Sequence, residues 1–266
     1  MSTNSSPPRI IAHRGASHDA PENTLAAFHL AWEQGADAIE TDGHLTRDGE
    51  VVCIHDPTTG RTADRNLRIA DSLSSELRQL DVGAWKSPRF AGQRIPTLAE
   101  TLSVLPRKRR LYLEIKSGPE TVAAVRARIA AAGLPPSRVE FMSFHPAVVA
   151  ACKAKMPRHR AHLLVNYTRA KVGSRGAFSP TAAEVAGTLG RCRADDLGTE
   201  ANPEAVTPAF LRALRRGGPR EFFVWTVNDR ETARHFLALG TRAIATNRPK
   251  EMRGWLRDLA SRRSSP

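Results

Sequence analysis

Eight apolar runs of strand length alternate with eight helical segments along this chain, and no other feature constrains its fold as much. The runs predict strands over Arg9–His13, Ala38–Leu45, Leu111–Lys116, Val139–Ser143, Arg160–Val165, Asp195–Thr199, Phe222–Val227 and Arg242–Thr246. Segments rich in Ala, Leu, Arg and Glu predict helices over Thr24–Gln34, Leu98–Leu105, Thr121–Ala132, Pro146–Lys155, Thr181–Arg191, Pro208–Arg216, Arg230–Leu239 and Pro249–Ala260. Cap signals agree. Thr97 precedes Leu98 with Glu100 at capping-box spacing, and Gly35 and Gly240 follow helices where a left-handed residue is wanted. Strand followed by helix eight times over is the pattern of an α/β TIM (β/α)8 barrel, and 266 residues suit a single one.

One connection breaks the rhythm. From Asp56 to Pro96 the chain runs about 40 residues before the next helix, and connections that long are uncommon unless functional. The expected organisation is a disordered N-terminal tail over residues 1–8, one barrel domain over 9–260 and a polar tail over 261–266. Residues 56–96 are an insertion over one rim of the barrel. With Arg61, Arg65, Arg68, Trp85, Lys86 and Phe90, it is either a cap that selects part of the ligand or a plain structural excursion.

Chemistry gathers where strands end. His13-Arg14-Gly15, Glu40-x-Asp42 and His55-Asp56 each end or follow a short apolar run, as at the carboxyl ends of strands in a parallel-sheet enzyme. Residues two apart on a strand share a face, so Glu40 lies with Asp42 and Glu114 with Lys116. Three carboxylates converging at one rim repel one another unless a cation holds them, and an all-oxygen set suits a hard ion, Mg²⁺ or Ca²⁺. His13 and His55 at the same opening can act as one acid and one base near neutral pH. Arg14 and Lys116 suit phosphate oxygens, although Arg14 also reads as a strand-end ion pair. His18, His29, His159, His162 and His235 read as structural or merely exposed, and His44, two residues beyond Asp42, is intermediate.

The charge distribution fits an anionic ligand. Residues 1–60 carry nine acids and three bases, a net of −6, so the rest must carry +19 to reach the overall +13. Runs such as Arg107-Lys108-Arg109-Arg110 read as solvated surface, while the positive field favours an anionic ligand or surface. A predicted pI of 10.7 also raises a nucleic-acid binder as a rival. No helix-turn-helix, zinc spacing or RNA-recognition motif accompanies it, and aromatic residues are only 6%. The Ser/Pro-rich first residues are not a secretory signal, and no window approaches a membrane span, so no stable membrane anchor is expected. Three scattered cysteines point to a reducing, cytoplasmic setting. Oligomeric state is not legible.

Together these motifs identify a resemblance. Ala12-His13-Arg14-Gly15, Pro21-Glu22-Asn23-Thr24, Glu40-x-Asp42, Leu45-Thr46-x-Asp48-Gly49, His55-Asp56, Ile95-Pro96-Thr97-Leu98 and Leu113-Glu114-Ile115-Lys116 resemble the glycerophosphodiester phosphodiesterase family. Trp225-Thr226-Val227-Asn228 and Thr246-Asn247-Arg248-Pro249 carry the likeness through residues 9–250. The resemblance implies a TIM barrel that hydrolyses small glycerophosphodiesters to sn-glycerol 3-phosphate and an alcohol with one divalent cation, and no nucleic-acid partner. By position it implies His13 and His55 as the acid/base pair and Glu40, Asp42 and Glu114 as metal ligands. Arg14 and Lys116 match phosphate-contacting positions, and Trp225 a pocket-wall aromatic, though a barrel-strand aromatic can also be core. Glu22 and Asn23 either order the first loop or form a plain helix-entry turn. Gly43 departs from the family's branched apolar residue, which is expected to loosen that strand end. The segment after Asp56 follows the family pattern only loosely, which leaves the leaving group open. A lysophospholipase D-type activity on the same barrel is the rival enzyme reading.

Overall fold

The computed structural model describes residues 7–169, 178–217 and 221–261. The expected tail residues 1–6 and 262–266 lie outside the described residues. Eight strands form the predicted barrel: β1 (Arg9–Ala12), β2 (Ala38–Leu45), β4 (Arg110–Ile115), β5 (Val139–Ser143), β6 (Ala161–Val165), β9 (Asp196–Glu200), β10 (Phe222–Trp225) and β11 (Ala243–Thr246). All their mutual pairings are parallel, and β1 closes the ring by pairing with both β11 and β2. Around them run α1 (Leu25–Glu33), α3 (Leu98–Ser103), α4 (Thr121–Ala132), α5 (Pro146–Lys155), α6 (Ala182–Cys192), α7 (Pro208–Arg215), α8 (Arg230–Ala238) and α9 (Pro249–Ser261). The capping box at Thr97 forms as expected, with Glu100 N donating to Thr97 Oγ1 over 3.2 Å and Thr97 N to Glu100 Oε2 over 2.8 Å. Gly35 and Gly240 both take a φ of +81°.

Every barrel strand reads the same way. Residues facing out, such as Ile10, Ile39, Leu113, Phe141 and Val224, pack under the helices in the main apolar core. Those facing in, Ile11, Ala38, Tyr112, Met142, Leu164, Phe223, Ala243 and Ala245, fill the barrel axis. No described helix is long and apolar enough to cross a membrane.

The structure differs from the sequence reading at the run before His55. Val51–Cys53 forms β3, which is antiparallel to the outer end of β2 and lies outside the barrel ring. The chain leaves β2 through a tight turn with Gly49 at φ +79°, doubles back and returns to the rim. An apolar run this short carries no sign of its pairing direction by itself, and the signal for the hairpin is the Asp48-Gly49 pair between the two runs. The insertion that follows holds α2 (Ser74–Leu77) and its own apolar cluster, including Val52, Ile54, Ile69, Leu77, Leu80, Val82 and Ile95. Elsewhere a two-residue pairing joins β7 (Thr168–Arg169) to β8 (Phe178–Ser179).

Gly43 does not loosen its strand. It pairs with Ile115 on one side and Cys53 on the other, and its carbonyl accepts Lys116 N over 3.0 Å. The space a side chain would occupy is taken by Leu113 and Val51, whose carbons lie 3.2 and 3.4 Å from an ideal Cβ.

The amino end of the barrel is closed by a buried ionic network. Glu140 accepts from His162 Nε2 (2.9 Å) and Arg242 Nη2 (2.7 Å) on one oxygen, and from Arg9 and Arg110 (both 3.2 Å) on the other. Arg242 Nε also lies 3.0 Å from Asp196. His162 is therefore structural, as the sequence suggested. Burial alone would raise the Glu140 pKa, but His162 and Arg242 hold it well below the carboxylate range. A depressed pKa stabilises the fold above the unfolded value of 4.5 and loses that contribution as pH falls below it. Glu140→Gln should therefore cost on the order of 3 kcal/mol at neutral pH, because the buried Arg242 loses one of its two carboxylate partners. In thermal melts the gap from the parent protein should close progressively below about pH 4.5.

Candidate active site

At the opposite, carboxyl end of the barrel lies a cavity of about 260 Å³. Its wall follows the two-residue strand period: Ile11 and His13, Tyr112 with Glu114 and Lys116, Met142 and Phe144, Leu164 and Asn166, Phe223 and Trp225. The cavity is thus polar on the side of the first strands and apolar on the side of the later ones.

Parallel register brings the acids together. Asp42 pairs with Glu114 across β2 and β4, and Glu40 lies two residues before Asp42 on the same face. One carboxylate oxygen from each of Glu40, Asp42 and Glu114 lies within 4.8 Å of the other two, and all three residues are buried. Repulsion is settled unevenly. Asp42 stays ionised, its pKa drawn down to about 2 against the effect of burial by Arg14, Lys116 and His55, with a hydrogen bond from Asn23. Glu114 is pushed up to about 7 by burial and then by the Asp42 charge. Glu40 is raised well above the ordinary range for the same two reasons. Glu40 Oε1 and Asp42 Oδ1 are buried without a hydrogen-bond partner. Orphaned acceptors in an all-oxygen, three-carboxylate cluster fit a hard divalent cation.

Both predicted cations stand beside this cluster. Lys116 Nζ lies 2.9 Å from Glu114 Oε1 and 3.3 Å from Asp42 Oδ1. Arg14 Nε is 3.3 Å from Asp42, its Nη1 donates to Glu22 over 3.0 Å, and its backbone N–H donates to Glu40 over 2.8 Å. The strand-end ion pair considered from sequence therefore exists, and it is made with the acidic cluster itself. Burial works against the charge of Arg14 and of Lys116, but the surrounding carboxylates raise both pKa values.

The two histidines reach the cavity from different supports. His13 directly follows β1; its Nδ1 lies 2.8 Å from Asn247 Oδ1, and its Nε2 is 3.9 Å from Glu40. Burial, and then the neighbouring Arg14 charge, lowers its pKa to about 4. His55 follows β3, where Ile54 N donates to the Asp42 carbonyl over 3.0 Å. His55 Nδ1 pairs with Asp56 Oδ1 at 2.6 Å, and its carbonyl lies 3.0 Å from His44 Nε2. His44 thus braces the backbone of His55 and stays out of the cavity wall. Trp225 ends β10, meets Phe144 edge-on at 5.4 Å and lines the cavity with its indole nitrogen unpartnered.

Several supporting residues were not singled out from sequence, or were read differently. Asn23 is more than a helix-entry turn, since Thr24 is the N-cap. Asn23, at φ +55°, donates to Asp42 Oδ2 over 2.8 Å, and its Oδ1 accepts from Thr41 Oγ1 over 2.7 Å. Glu22 bridges Arg14 and Arg61. Asn247 meets His13 across 234 positions of sequence, a contact no local pattern announces. The apolar wall, by contrast, was open to the strand period already used for Glu40 and Asp42. Residues 56–96 contribute no wall residue among those described. They brace the first loop instead, through Arg61 on Glu22 and Lys86 on the Ser17 carbonyl.

A model of the "Glycerophosphoryl diester phosphodiesterase family" matches residues 13–251. The chain belongs to that family. It is an enzyme, a phosphodiesterase on the TIM barrel that the alternation predicted. It is 33% identical over 244 residues to YhdW of Bacillus subtilis, a match covering 90% of this chain and 94% of that one. It is 48% identical over 110 residues to the glycerophosphodiester phosphodiesterase of Caldanaerobacter subterraneus, covering 41% of this chain and 45% of that one. Among solved structures, a phosphodiesterase from Oleispira antarctica in complex with the product sn-glycerol-3-phosphate superposes with a TM-score of 0.81 at 28% identity, over 94% of this chain and 97% of that one. A glycerophosphodiester phosphodiesterase from Agrobacterium tumefaciens gives 0.75 at 27%, over 91% and 97%.

The first loop of this site rests on Gly15. It has φ +79°, and a Cβ there would lie 2.6–2.7 Å from atoms of Ala27, two of them backbone. Gly15→Ala should destabilise the protein by more than about 1 kcal/mol, read as a lower melting temperature, because both backbone strain and a clash with α1 oppose it.

Proposed function

We propose that this enzyme hydrolyses glycerophosphodiesters to sn-glycerol 3-phosphate and an alcohol, with a divalent cation, Mg²⁺ or Ca²⁺, held by Glu40, Asp42 and Glu114. The observation that carries the reading is the cluster of buried, partly orphaned carboxylates set between two histidines and two cations in one cavity. The product complex of the Oleispira relative supports the same substrate class. Buried unpaired Cys53, Cys152 and Cys192 are compatible with a cytoplasmic setting, which belongs to this proposal.

The cation supplies positive charge that orients the phosphate and offsets its charge as the transition state forms. Arg14 and Lys116, already drawn to the acidic side of the cavity, take up the non-bridging phosphate oxygens. The apolar wall that includes Phe144 and Trp225 accommodates carbon rather than charge. His13 and His55 move the protons. One takes the proton from the glycerol 2-hydroxyl as that oxygen bonds to phosphorus. The other protonates the departing alcohol as its P–O bond breaks. The nucleophile is tethered to the phosphorus it attacks, and such intramolecular reactions reach effective molarities of about 10⁵ M or more. Water then adds to the cyclic phosphate, the bond between phosphorus and the 2-oxygen breaks, and the histidines exchange roles. Asn247 beside His13, and Asp56 with His44 behind His55, keep each imidazole in place through these exchanges.

Removing either imidazole takes away a group that acts on reacting atoms. His13→Ala and His55→Ala should each lower kcat by about 10²-fold or more with a much smaller change in KM. A substrate lacking the 2-hydroxyl should bind but scarcely turn over. A normal rate with that analogue would replace the cyclic route with direct attack by water.

The elevated pKa values of Glu40 and Glu114 make cation binding proton-linked. Both must ionise to serve as ligands, so at neutral pH the binding of Mg²⁺ or Ca²⁺ should release protons, and affinity should rise with pH through about 7. Calorimetric titration in buffers of different ionisation heat measures the release. Exhaustive EDTA treatment should abolish turnover, and full activity afterwards would remove the cation from the mechanism.

A further inference from the structure

Within the insertion, residues 81–93 form a loop closed on one side chain. Asp81 Oδ1 accepts the N–H groups of Gly83 (2.7 Å) and Ala84 (2.9 Å), and Oδ2 accepts that of Gly92 (2.6 Å). Val82 N donates to the Gln93 carbonyl over 2.9 Å. The chain packs so closely here that a Cβ on Gly83 would lie 1.9 Å from the Phe90 oxygen. This loop carries Trp85, which at 45% exposure is the exposed large apolar side chain of the described residues. Its indole N–H donates to the Val82 carbonyl over 2.9 Å, which fixes the ring while much of it stays in water.

The same segment carries three cations, of which Lys86 sits 5.8 Å from the Trp85 ring, and their hydrogen bonds go to carbonyls. Lys86 donates to Ser17 O (2.9 Å), Arg89 to Asp19 O (3.0 Å) and Arg94 to Gln79 O (2.8 Å). None of the three lies within ion-pair distance of a carboxylate among the described residues; Lys86 acts on Asp19 and Arg94 on Asp81 at longer range, and residues 84–94 hold these three cations with no acid of their own. The patch adjoins the cavity mouth: Ser17, which receives Lys86, donates its hydroxyl to the His13 carbonyl over 2.7 Å.

We propose that the 84–94 edge of the insertion is a reversible docking surface for an anionic lipid bilayer, and that docking brings the cavity mouth to the membrane–water interface. An indole with one hydrogen-bonded end and an apolar body suits the headgroup level of a bilayer. Each Lys or Arg near an anionic surface contributes about 1 kcal/mol, close to a factor of five in affinity. The overall charge of +13 adds long-range attraction. Because the loop is closed before it docks, little ordering entropy opposes binding. The same residues are poorly arranged for nucleic acid, which needs free aromatic faces for base stacking. Arg89 sits over the Phe90 ring at 4.6 Å, and the Lys86 ammonium over the Trp85 ring at 5.8 Å.

Sedimentation of the full-length protein with lipid vesicles tests this. It should bind phosphatidylcholine vesicles containing phosphatidylglycerol and not vesicles of phosphatidylcholine alone, with a blue shift of indole emission. The pair Trp85→Ala and Arg94→Gln should weaken binding about tenfold or more and abolish the shift. Hydrolysis of a water-soluble glycerophosphodiester should be unchanged, which certifies the fold. The pair Arg107→Gln and Lys108→Gln, at the amino end of the barrel, should leave vesicle binding within about twofold. Absence of binding to anionic vesicles overturns the proposal. So does equal weakening by the two pairs, which would reflect only net charge, or salt-sensitive retention on DNA or RNA that depends on Trp85 while vesicles are ignored.

Discussion

Asp42 is the residue on which the rest of the site depends. Its side chain takes Asn23, Arg14 and Lys116, and its backbone carbonyl takes Ile54 N. These contacts tie the first loop, the β3 return and the end of β4 to one point on β2. Burying a charge is expensive unless it is paired and hydrogen-bonded, and Asp42 is both. Burial first, and then the ionised Asp42 beside them, holds Glu40 and Glu114 back from ionising. Three carboxylates with three different proton affinities follow from one register.

The two ends of the barrel solve the problem of buried charge in opposite ways. At the amino end, Glu140 is saturated: both oxygens have donors, and His162 and Arg242 are locked against it. At the carboxyl end, Glu40 and Asp42 each keep an oxygen without a hydrogen-bond partner. A carboxylate with both oxygens engaged stabilises, and one with an unengaged oxygen is available for a ligand. Stability and chemistry are thereby separated by the length of the strands.

Much of this was legible in the sequence because it follows periods. The eight parallel strands, their order and the convergence of Glu40, Asp42 and Glu114 all derive from alternation along strands and from helices between them. What escaped has a common cause: it depends on contacts far apart in sequence or on pairing direction. The three-residue β3 looks like any apolar run unless Asp48-Gly49 before it is taken as a hairpin turn. For Asn23 the sequence leaves loop ordering and a helix-entry turn equally open until its amide is seen on Asp42, and Asn247 reads as part of a strand-end motif until it meets His13. The insertion seemed a long irregular connection because its apolar residues, Ile69, Leu77, Leu80, Val82 and Ile95, follow neither a helical nor a strand period. Gly43 was judged by its missing side chain, whereas Leu113 and Val51 fill that space.

The hairpin that carries His55 divides the machinery mechanically. His13 and the acidic cluster are built into a closed ring, where any shift in one strand is resisted by all the others. His55 stands on a hairpin outside the ring, pinned to β2 and to the Pro96–Thr97 backbone and extended by the insertion. Changes of length or composition between these anchors bear on His55 and the first loop before they bear on the ring. One half of the acid–base pair is conservative by construction, and the other is attached to the part of the chain most free to diversify.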